Sequence, residues 1–447
     1  MQSIRNSRIA SAGGNGHTEL APRNDLAAMA LVAGAKLGRV RGGLLAGLLI
    51  GAGVISAARA GAGVAVPSTV RASPVSYAPG TNEPRVGTEV ALNEVNDIEF
   101  ATGWVGYALG GPQGSGFPLK TSDGGRTWSI DGPAFFLPVA DGASVVTDLA
   151  VASASDAYAY GGSSGGSSIA VTTDAGRRWW RAYLGQAVVA AAQHGRDIWA
   201  LAAGPQSPPS GLNAVAPMWL YDSTDGGRSW SYRATLPDVR GWEADLARPS
   251  ANVGFALVKG FGSERAVDAG IVETTDGGTT WTKRSDPCER TRARRSFGFT
   301  QRLQADSPTS LWLFCGAQPS AGEQAKLVWR SSNSGQTWTL VDASAPGESA
   351  RSNDIAAAGE LPETGTTGDL SAPSRSAAWL ILVGSDVLWK TTDGGRNWTA
   401  GAPARIDEQL PQELSIAQRS VFVRTANALW RRSSTGWKLV AGAPTPH

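Results

Sequence analysis

The stretch Thr391-Thr392-Asp393-Gly394-Gly395-Arg396-Asn397-Trp398 recurs along this chain, and we call each copy a repeat turn. The shared pattern is Ser/Thr-Asp-x-Gly-x-x-Trp. Close copies run over Thr121–Trp128, Thr172–Trp179, Ser223–Trp230 and Thr274–Trp281. A weaker copy runs over Ser331–Trp338, and a shortened copy without the aspartate runs over Ser433–Trp437. The first four copies are 51 residues apart from aspartate to aspartate. A fixed period of this size is typical of solenoids, propellers and other repeat arrays.

Each repeat turn has the composition of a tight β-hairpin turn. The carboxylate can accept backbone N–H groups a few residues on, and the second glycine can take a positive φ at no steric cost. Short β-type runs flank the turn, such as Ser168–Val171 before one copy and Trp230–Arg233 after another. We therefore expect the turn residues to be structural and not catalytic acids: Asp123, Asp174, Asp225, Asp276, Asn333 and Asp393.

The repeat turn resembles the Asp-box (BNR) repeat of sialidases, xyloglucan-cleaving glycosidases, sortilin-type receptors and the photosystem II assembly/stability factors. The resemblance covers roughly residues 95–442. It implies the blades of a β-propeller, with the turn between the third and fourth strands, on the rim and away from the axis. One fold hosts many functions, so the resemblance indicates the fold more strongly than the activity.

Seven units can be aligned from residue 95 onward, and a repeat of about 50 residues leaves room for four strands per unit. Second strands carry aromatic or aliphatic runs, such as Leu311–Phe314. We predict an all-β protein, a seven-bladed β-propeller of four-stranded blades over residues 95–442, preceded by one N-terminal hydrophobic helix. Residues 443–447 are expected to form a short tail.

The N-terminal region divides into three segments. Residues 1–41 are polar and basic, and we expect them to be disordered. Residues 42–66 are apolar and fit an uncleaved transmembrane anchor, a signal peptide cleaved after Ala60, or a buried soluble helix. Residues 67–94 contain four prolines and read as an extended tether, in which residues 86–92 could add one strand to the propeller.

Both membrane interpretations of residues 42–66 lead to the same location for the propeller. The basic residues before this segment are expected to stay inside. We therefore expect a single-pass protein of the cell membrane, with the N-terminus inside and the propeller extracytoplasmic. If the chain is cleaved near Ala60, the propeller is secreted instead.

Acidic residues begin most of the predicted first strands, which line the central channel of a propeller. They form a predicted ring at the channel mouth, interrupted by Val189 in one unit and Arg302 in another: Asp97, Asp148, Asp245, Asp369 and Glu413. The ring could bind a cation or basic groups. Alternatively, each carboxylate caps a strand or bonds to the backbone of the neighbouring blade, and we favour this second interpretation.

Arginines are concentrated between the fourth and fifth units. We predict that they bind a partner: Arg290, Arg292, Arg294, Arg295 and Arg302. The planar guanidinium binds carboxylate or phosphate in a bidentate manner. The alternative is a solvated loop whose arginines pair with local acids. The two cysteines of the chain, Cys288 and Cys315, fit a disulfide in an oxidising compartment or two buried thiols.

Several classes of function have little support in the composition. The three histidines are scattered and there are two cysteines, so we expect no metal site, no cofactor and no Ser-His-Asp arrangement. The formal net charge of +2 gives no argument for nucleic acid. Sialidases also need an Arg-Ile-Pro motif, which is missing. The best carboxylate pair for work on a sugar is Glu243 with Asp245.

We therefore predict a non-enzymatic, extracytoplasmic scaffold that holds or helps to assemble a membrane or envelope protein partner. Membrane association would come from the N-terminal segment. The alternative is a glycoside hydrolase of sialidase type, or a lectin that binds a glycan with the same propeller.

Overall fold

The computed structural model describes residues 66–443 except 78, 113–115, 136–143, 164–165, 186, 206–215, 242, 260–268, 289–298, 345–360, 386 and 402–410. These residues form seven antiparallel sheets, all within the compact unit Gly38–His447. Strands and turns make up the described part of the chain, together with one short 3-10 helix, Leu92–Glu94, and no α-helix. The predicted all-β, seven-bladed propeller of four-stranded blades is confirmed. The predicted N-terminal hydrophobic helix lies outside the described residues.

Each blade consists of four strands that are consecutive in sequence and neighbours in the sheet. Blades 1 to 3 are Val95–Phe100, Gly106–Gly110, Phe117–Thr121 and Trp128–Ile130; Ser144–Val151, Ala157–Ser163, Gly166–Thr172 and Trp180–Tyr183; Ala187–His194, Asp197–Ala203, Ala216–Ser223 and Ser229–Gly241. Blades 4 and 5 are Glu243–Ala247, Gly254–Lys259, Gly270–Thr274 and Thr282–Arg284; Thr300–Ala305, Leu311–Gly316, Lys326–Ser331 and Thr339–Ala343. Blades 6 and 7 are Thr366–Ser371, Ala378–Val383, Leu388–Thr391 and Thr399–Ala400; Glu413–Ala417, Ser420–Arg424, Ala428–Ser433 and Gly436–Gly442.

The hydrophobic core lies between the blades. A blade packs one face against each of its two neighbours, so its inner strands bury both faces, and their sequences are apolar runs without alternation. Leu311–Gly316 is buried at every position. First strands of neighbouring blades lie next to each other around the axis, which places them at the channel.

One aromatic residue stands at the same place in the second strand of every blade, and all seven are buried: Tyr107, Tyr158, Trp199, Phe255, Trp312, Trp379 and Phe422. Each is paired across the ladder with a residue near the end of the third strand: Lys120, Val171, Asp222, Glu273, Arg330, Lys390 and Arg431. The residue opposite the aromatic is therefore basic in blades 5, 6, 7 and 1 and acidic in blades 3 and 4.

The ring closes by direct packing of blade 7 on blade 1. The rings of Phe100 and Phe422 stack with centroids 3.5 Å apart. The amide of Ile98 donates to Glu413 Oε2 at 3.2 Å, and the amide of Phe100 donates to Ser415 Oγ at 2.8 Å. No blade combines strands from the beginning and the end of the described chain, so no sheet joins the two ends. These side-chain contacts therefore hold the ring together at this seam.

Part of the segment 67–94 lies along the rim and adds a fifth, outermost strand to three blades. Thr69–Arg71 pairs with blade 3, Ser73–Pro74 with blade 2 and Glu89–Val90 with blade 1. An outer strand leaves unpaired N–H and C=O groups at its edge, and an extended chain can pair with them. The structure thus fixes the segment to the rim at three places, and the segment ends in the 3-10 helix Leu92–Glu94.

No helix among the described residues is both long and apolar enough to span a bilayer. Apart from Val66, the apolar segment 42–66 lies outside those residues.

Candidate functional site

The repeat turns use their aspartates as hydrogen-bond acceptors within the turn. Asp276 Oδ1 accepts the amides of Thr279 at 3.0 Å and Thr280 at 2.9 Å, and Oδ2 accepts the Thr280 hydroxyl at 2.6 Å. The Thr274 hydroxyl donates to Oδ1 and accepts the amide of Gly278. Hydrogen bonds from Thr280 and then Thr274 lower the pKa of Asp276 to about 2. This carboxylate is ionised and committed to the turn, as a structural role requires.

Asn333 builds the same turn without the charge. Its Oδ1 accepts the Ser331 hydroxyl at 3.0 Å and the Thr337 amide at 2.9 Å, and its Nδ2 donates to the Thr337 hydroxyl at 2.9 Å. The repeat turn of blade 5 therefore keeps its geometry and lacks the negative charge of the other close copies.

Three members of the predicted acidic ring bond to the next blade. The amide of Leu303 donates to Asp245 Oδ2 at 2.7 Å, the amide of Leu414 donates to Asp369 Oδ2 at 3.1 Å, and Glu413 accepts the Ile98 amide. In each case the donor belongs to the first strand of the following blade. These carboxylates join neighbouring first strands, which is the role that the second interpretation of the ring assigns them.

The remaining two members differ from these three. Asp148 accepts the Tyr160 hydroxyl of its own blade at 2.7 Å, and Asp97 is a buried residue with a φ of 53°. Among the residues that the structure describes, no three histidine, cysteine or carboxylate side chains come together as a possible metal site.

A cluster of charged residues occupies the junction of blades 4 and 5, and we call Glu243, Asp245, Lys259 and Arg302 the junction cluster. Lys259 Nζ donates to Asp245 Oδ1 at 3.2 Å and to the carbonyl of Gln301 at 3.1 Å. Burial lowers the pKa of Lys259, and Asp245 opposes that shift. Arg302 donates to the same carbonyl at 3.1 Å and stands close enough to act on Glu243.

The two carboxylates of the junction cluster are not equivalent. Asp245 is committed to Lys259 and to the backbone of Leu303. Burial raises the pKa of Glu243, while Lys259 and Arg302 oppose the shift. The pair predicted for acid–base work thus contains one carboxyl group with a raised pKa and one carboxylate that bridges two blades.

We call residues 290–295 the arginine segment, and the described residues on both sides of it belong to blades 4 and 5. Arg290, Arg292, Arg294 and Arg295 themselves lie outside the described residues. Before them, the Cys288 amide donates to Asp286 Oδ1 at 2.9 Å, and the Gln301 side chain donates to Asp286 Oδ2 at 3.0 Å. Cys288 and Cys315 form a disulfide with a Cα–Cα distance of 5.7 Å, so the end of blade 4 is linked to the second strand of blade 5.

A groove between blades 5 and 6 brings together residues that sequence reasoning did not connect. It has a volume of about 480 Å³, and its walls carry Arg330, Arg375, Arg396 and Asp393 beside several serine and threonine hydroxyls. Arg396 belongs to the repeat turn of blade 6, but no motif connects it with Arg330 or Arg375, which lie elsewhere in the sequence. The sequence offered one signal of this groove: the repeat turn of blade 5 has Asn333 where the close copies have an aspartate.

A search with protein-family models finds no match for this chain, and a search of curated proteins finds no sequence relative. Solved propeller structures do match. YCF48 bound to a D1 peptide shares 16% identity at a TM-score of 0.44, over 81% of this chain and 96% of that one. YCF48 from Cyanidioschyzon merolae shares 16% identity at a TM-score of 0.41, over 79% of this chain and 95% of that one.

An ancestral GH74 enzyme matches with 14% identity and a TM-score of 0.50, over 80% of this chain. This chain spans about half of that enzyme, 47% of its length. At such an identity the similarity shows the propeller fold alone, and the function has to be argued from this chain's own residues.

Proposed function

We propose that this protein is a non-enzymatic, extracytoplasmic scaffold whose propeller binds a protein partner of the membrane or envelope. The arginine segment, residues 290–295, together with Arg302 would be the docking surface. One observation carries this proposal: the segment is mounted on a fixed base, made by the disulfide Cys288–Cys315 and the Asp286 turn at one end and by the strand Thr300–Ala305 at the other. A fixed base lowers the entropy lost when a partner is bound.

The chemistry of this surface suits an acidic partner. Guanidinium groups form bidentate hydrogen bonds with carboxylates, and these are among the stronger polar contacts in proteins. Within the junction cluster beside the base of the segment, Glu243 and Asp245 offset the charges of Arg302 and Lys259, so the excess positive charge of the proposed surface comes from the arginines at 290–295. Asp245 is already bonded to Lys259. We expect an acidic loop or tail of the partner to lie against this side of the propeller.

The proposed location rests on two features of the chain. Disulfides persist in oxidising compartments and are rare in the cytosol, so the bond between Cys288 and Cys315 supports a propeller outside the cytoplasm. The apolar segment 42–66 would supply either a membrane anchor or a signal peptide cleaved after Ala60.

A glycoside hydrolase is the alternative, and the raised pKa of Glu243 is the observation that favours it. A general acid of such enzymes has a raised pKa, but a second carboxylate must act as base or nucleophile. The nearest candidate, Asp245, is bonded to Lys259 and to the next blade. Hydrolysis of a glycan panel that disappears in Glu243→Gln would establish the enzyme in place of the scaffold.

A cross-linked pull-down from native membranes tests the scaffold. The intact protein is compared with a variant in which Arg290, Arg292, Arg294 and Arg295 are changed to glutamate. The matched control reverses the same number of exposed arginines elsewhere on the propeller: Arg177, Arg178, Arg196 and Arg240. We expect one membrane or envelope protein to be enriched by the intact chain and by the control, and lost with the first variant. Equal enrichment by all three proteins, or by none, would contradict the proposed surface.

A further inference from the structure

The groove between blades 5 and 6 has a preorganised arginine at its base. The Arg330 guanidinium lies 3.9 Å from the ring centroid of Trp312, and its Nη2 donates to the Ser310 hydroxyl at 3.2 Å. Its Nη1 donates to the carbonyl of Arg375, on the loop of blade 6 that forms the opposite wall. These contacts hold the positive charge in place before any ligand arrives.

The other walls of the groove are also basic. The side chains of Arg375 and Arg396 are exposed, and both line the groove. The one carboxylate of the lining, Asp393, is committed elsewhere: Oδ2 accepts the Asn397 amide group at 2.6 Å, and Oδ1 accepts the backbone amides of Arg396 and Asn397. Burial opposes its ionisation, but these hydrogen bonds hold the pKa of Asp393 below its usual range. Within the lining, three guanidiniums therefore face one carboxylate that is satisfied within its own turn, and outside the lining the carboxylate of Asp306 also acts on Arg330.

The neutral residue at position 333 adds to this imbalance. Ser331, Ser332 and Thr337 of the same repeat turn line the groove, so residue 333 stands at its edge. The corresponding residue is an aspartate in each of the other close copies of the turn. An aspartate here would place a further negative charge beside the three arginines, and Asn333 makes the turn's hydrogen bonds without that charge.

We propose that this groove is a binding site for an oxyanion group, a carboxylate or a phosphate, and that Asn333 sets its affinity. Arg330, Arg375 and Arg396 supply the charge, and the hydroxyls of Thr337 and Thr339 supply further donors. Guanidinium forks match both oxyanions. The site lies between blades 5 and 6, apart from the docking surface of blades 4 and 5, and does not depend on the proposed function.

Isothermal titration calorimetry on the full chain tests this site, with citrate as the carboxylate probe and inorganic phosphate as the phosphate probe. We expect at least one probe to bind, and the tighter of the two to identify the oxyanion. Asn333→Asp should weaken binding about three- to tenfold, the effect of one unit charge within about 8 Å at a partly solvated surface. Arg396→Ala should weaken it as well.

Two comparisons keep the test specific. Asn333→Asp restores the residue that the other repeat turns carry, so the fold should be kept, and an unchanged circular dichroism spectrum and melting temperature would verify this. Asn252→Asp makes the same charge change at an exposed residue of blade 4, outside the groove lining, and should leave binding unchanged. No heat of binding from either probe, or an equal affinity in Asn333→Asp and the unmodified protein, would overturn the proposal.

Discussion

Lys326 is the most completely buried cation among the described residues, with 0% of its surface exposed. Its Nζ donates to the backbone carbonyls of Gln324 and Pro362, both at 2.8 Å, and of Glu363 at 2.9 Å. The lysine thereby joins the third strand of blade 5 to the chain that leads into blade 6. Burial lowers its pKa from 10.5 to about 7, and Glu363 and Glu323 oppose the shift.

This shift makes the stability of the propeller depend on pH in a defined direction. Between pH 7 and 10.5 the unfolded chain holds a proton on Lys326 that the folded chain has released. Unfolding then takes up a proton, so the free energy of unfolding rises with pH across this window. For a shift of this size the contribution of Lys326 grows by about 2 kcal/mol between pH 7 and pH 9.

Replacement by methionine removes the titrating group and keeps a long apolar side chain. The free energy of unfolding would be measured by guanidinium denaturation with tryptophan fluorescence, at pH 7 and pH 9, for the unmodified protein, Lys326→Met and the exposed-site control Lys438→Met. We expect the difference between the unmodified protein and Lys326→Met to change by about 2 kcal/mol in favour of the lysine at pH 9. A difference independent of pH would show that the three carbonyls keep the ammonium charged in the folded protein, which would contradict a lowered pKa of Lys326.

Three further perturbations test the fold. Thr274→Val leaves the buried amide of a repeat-turn glycine without its acceptor and should lower the free energy of unfolding by about 1–3 kcal/mol. Phe422→Ala removes the ring stacked on Phe100 at the seam of blades 7 and 1 and should lower the free energy of unfolding by about 3–5 kcal/mol. Limited proteolysis at that seam should become faster, and unchanged proteolysis kinetics would mean that other contacts hold the seam. Reduction of Cys288–Cys315, which closes a 27-residue separation, should cost about 3–4 kcal/mol in denaturant unfolding, and a double serine variant should be insensitive to reductant.

The fold could be predicted because the signal that specifies it is local and repeated. Each repeat turn contains its own acceptor, its own glycine and its own tryptophan, so the sequence shows a complete unit without knowledge of its neighbours. Asp276 and Asn333 illustrate this, because their hydrogen bonds end within four residues. Counting such units predicts seven blades, and the described residues contain seven sheets.

Contacts between blades could not be predicted in the same way. The bond from Ile98 to Glu413 joins residues 315 positions apart, and the stack of Phe100 on Phe422 spans a similar distance. The pairing of Thr69–Arg71 with blade 3 was equally hidden, because any exposed strand edge offers the same backbone groups. Packing geometry selects these partners, and no residue type marks them in the sequence.

The candidate sites were predicted to different degrees. The cysteine pair and the arginine segment stood out by composition, and the structure shows the bonded cysteines while leaving the arginines at 290–295 as a prediction. The groove of blades 5 and 6 was not predicted, because Arg330, Arg375 and Arg396 meet only when two blades pack side by side.

Site-specific photo-cross-linking in native membranes tests the docking surface most directly. A photoreactive phenylalanine analogue would replace Arg292 in one version of the full chain and the exposed Arg196 in another. We expect one adduct of defined mass from position 292 and none from position 196. The adduct from position 292 should be weaker once the disulfide at the base of the segment is removed by Cys288→Ser with Cys315→Ser. No adduct from position 292, or the same adducts from both positions, would contradict a scaffold that docks its partner through the arginine segment.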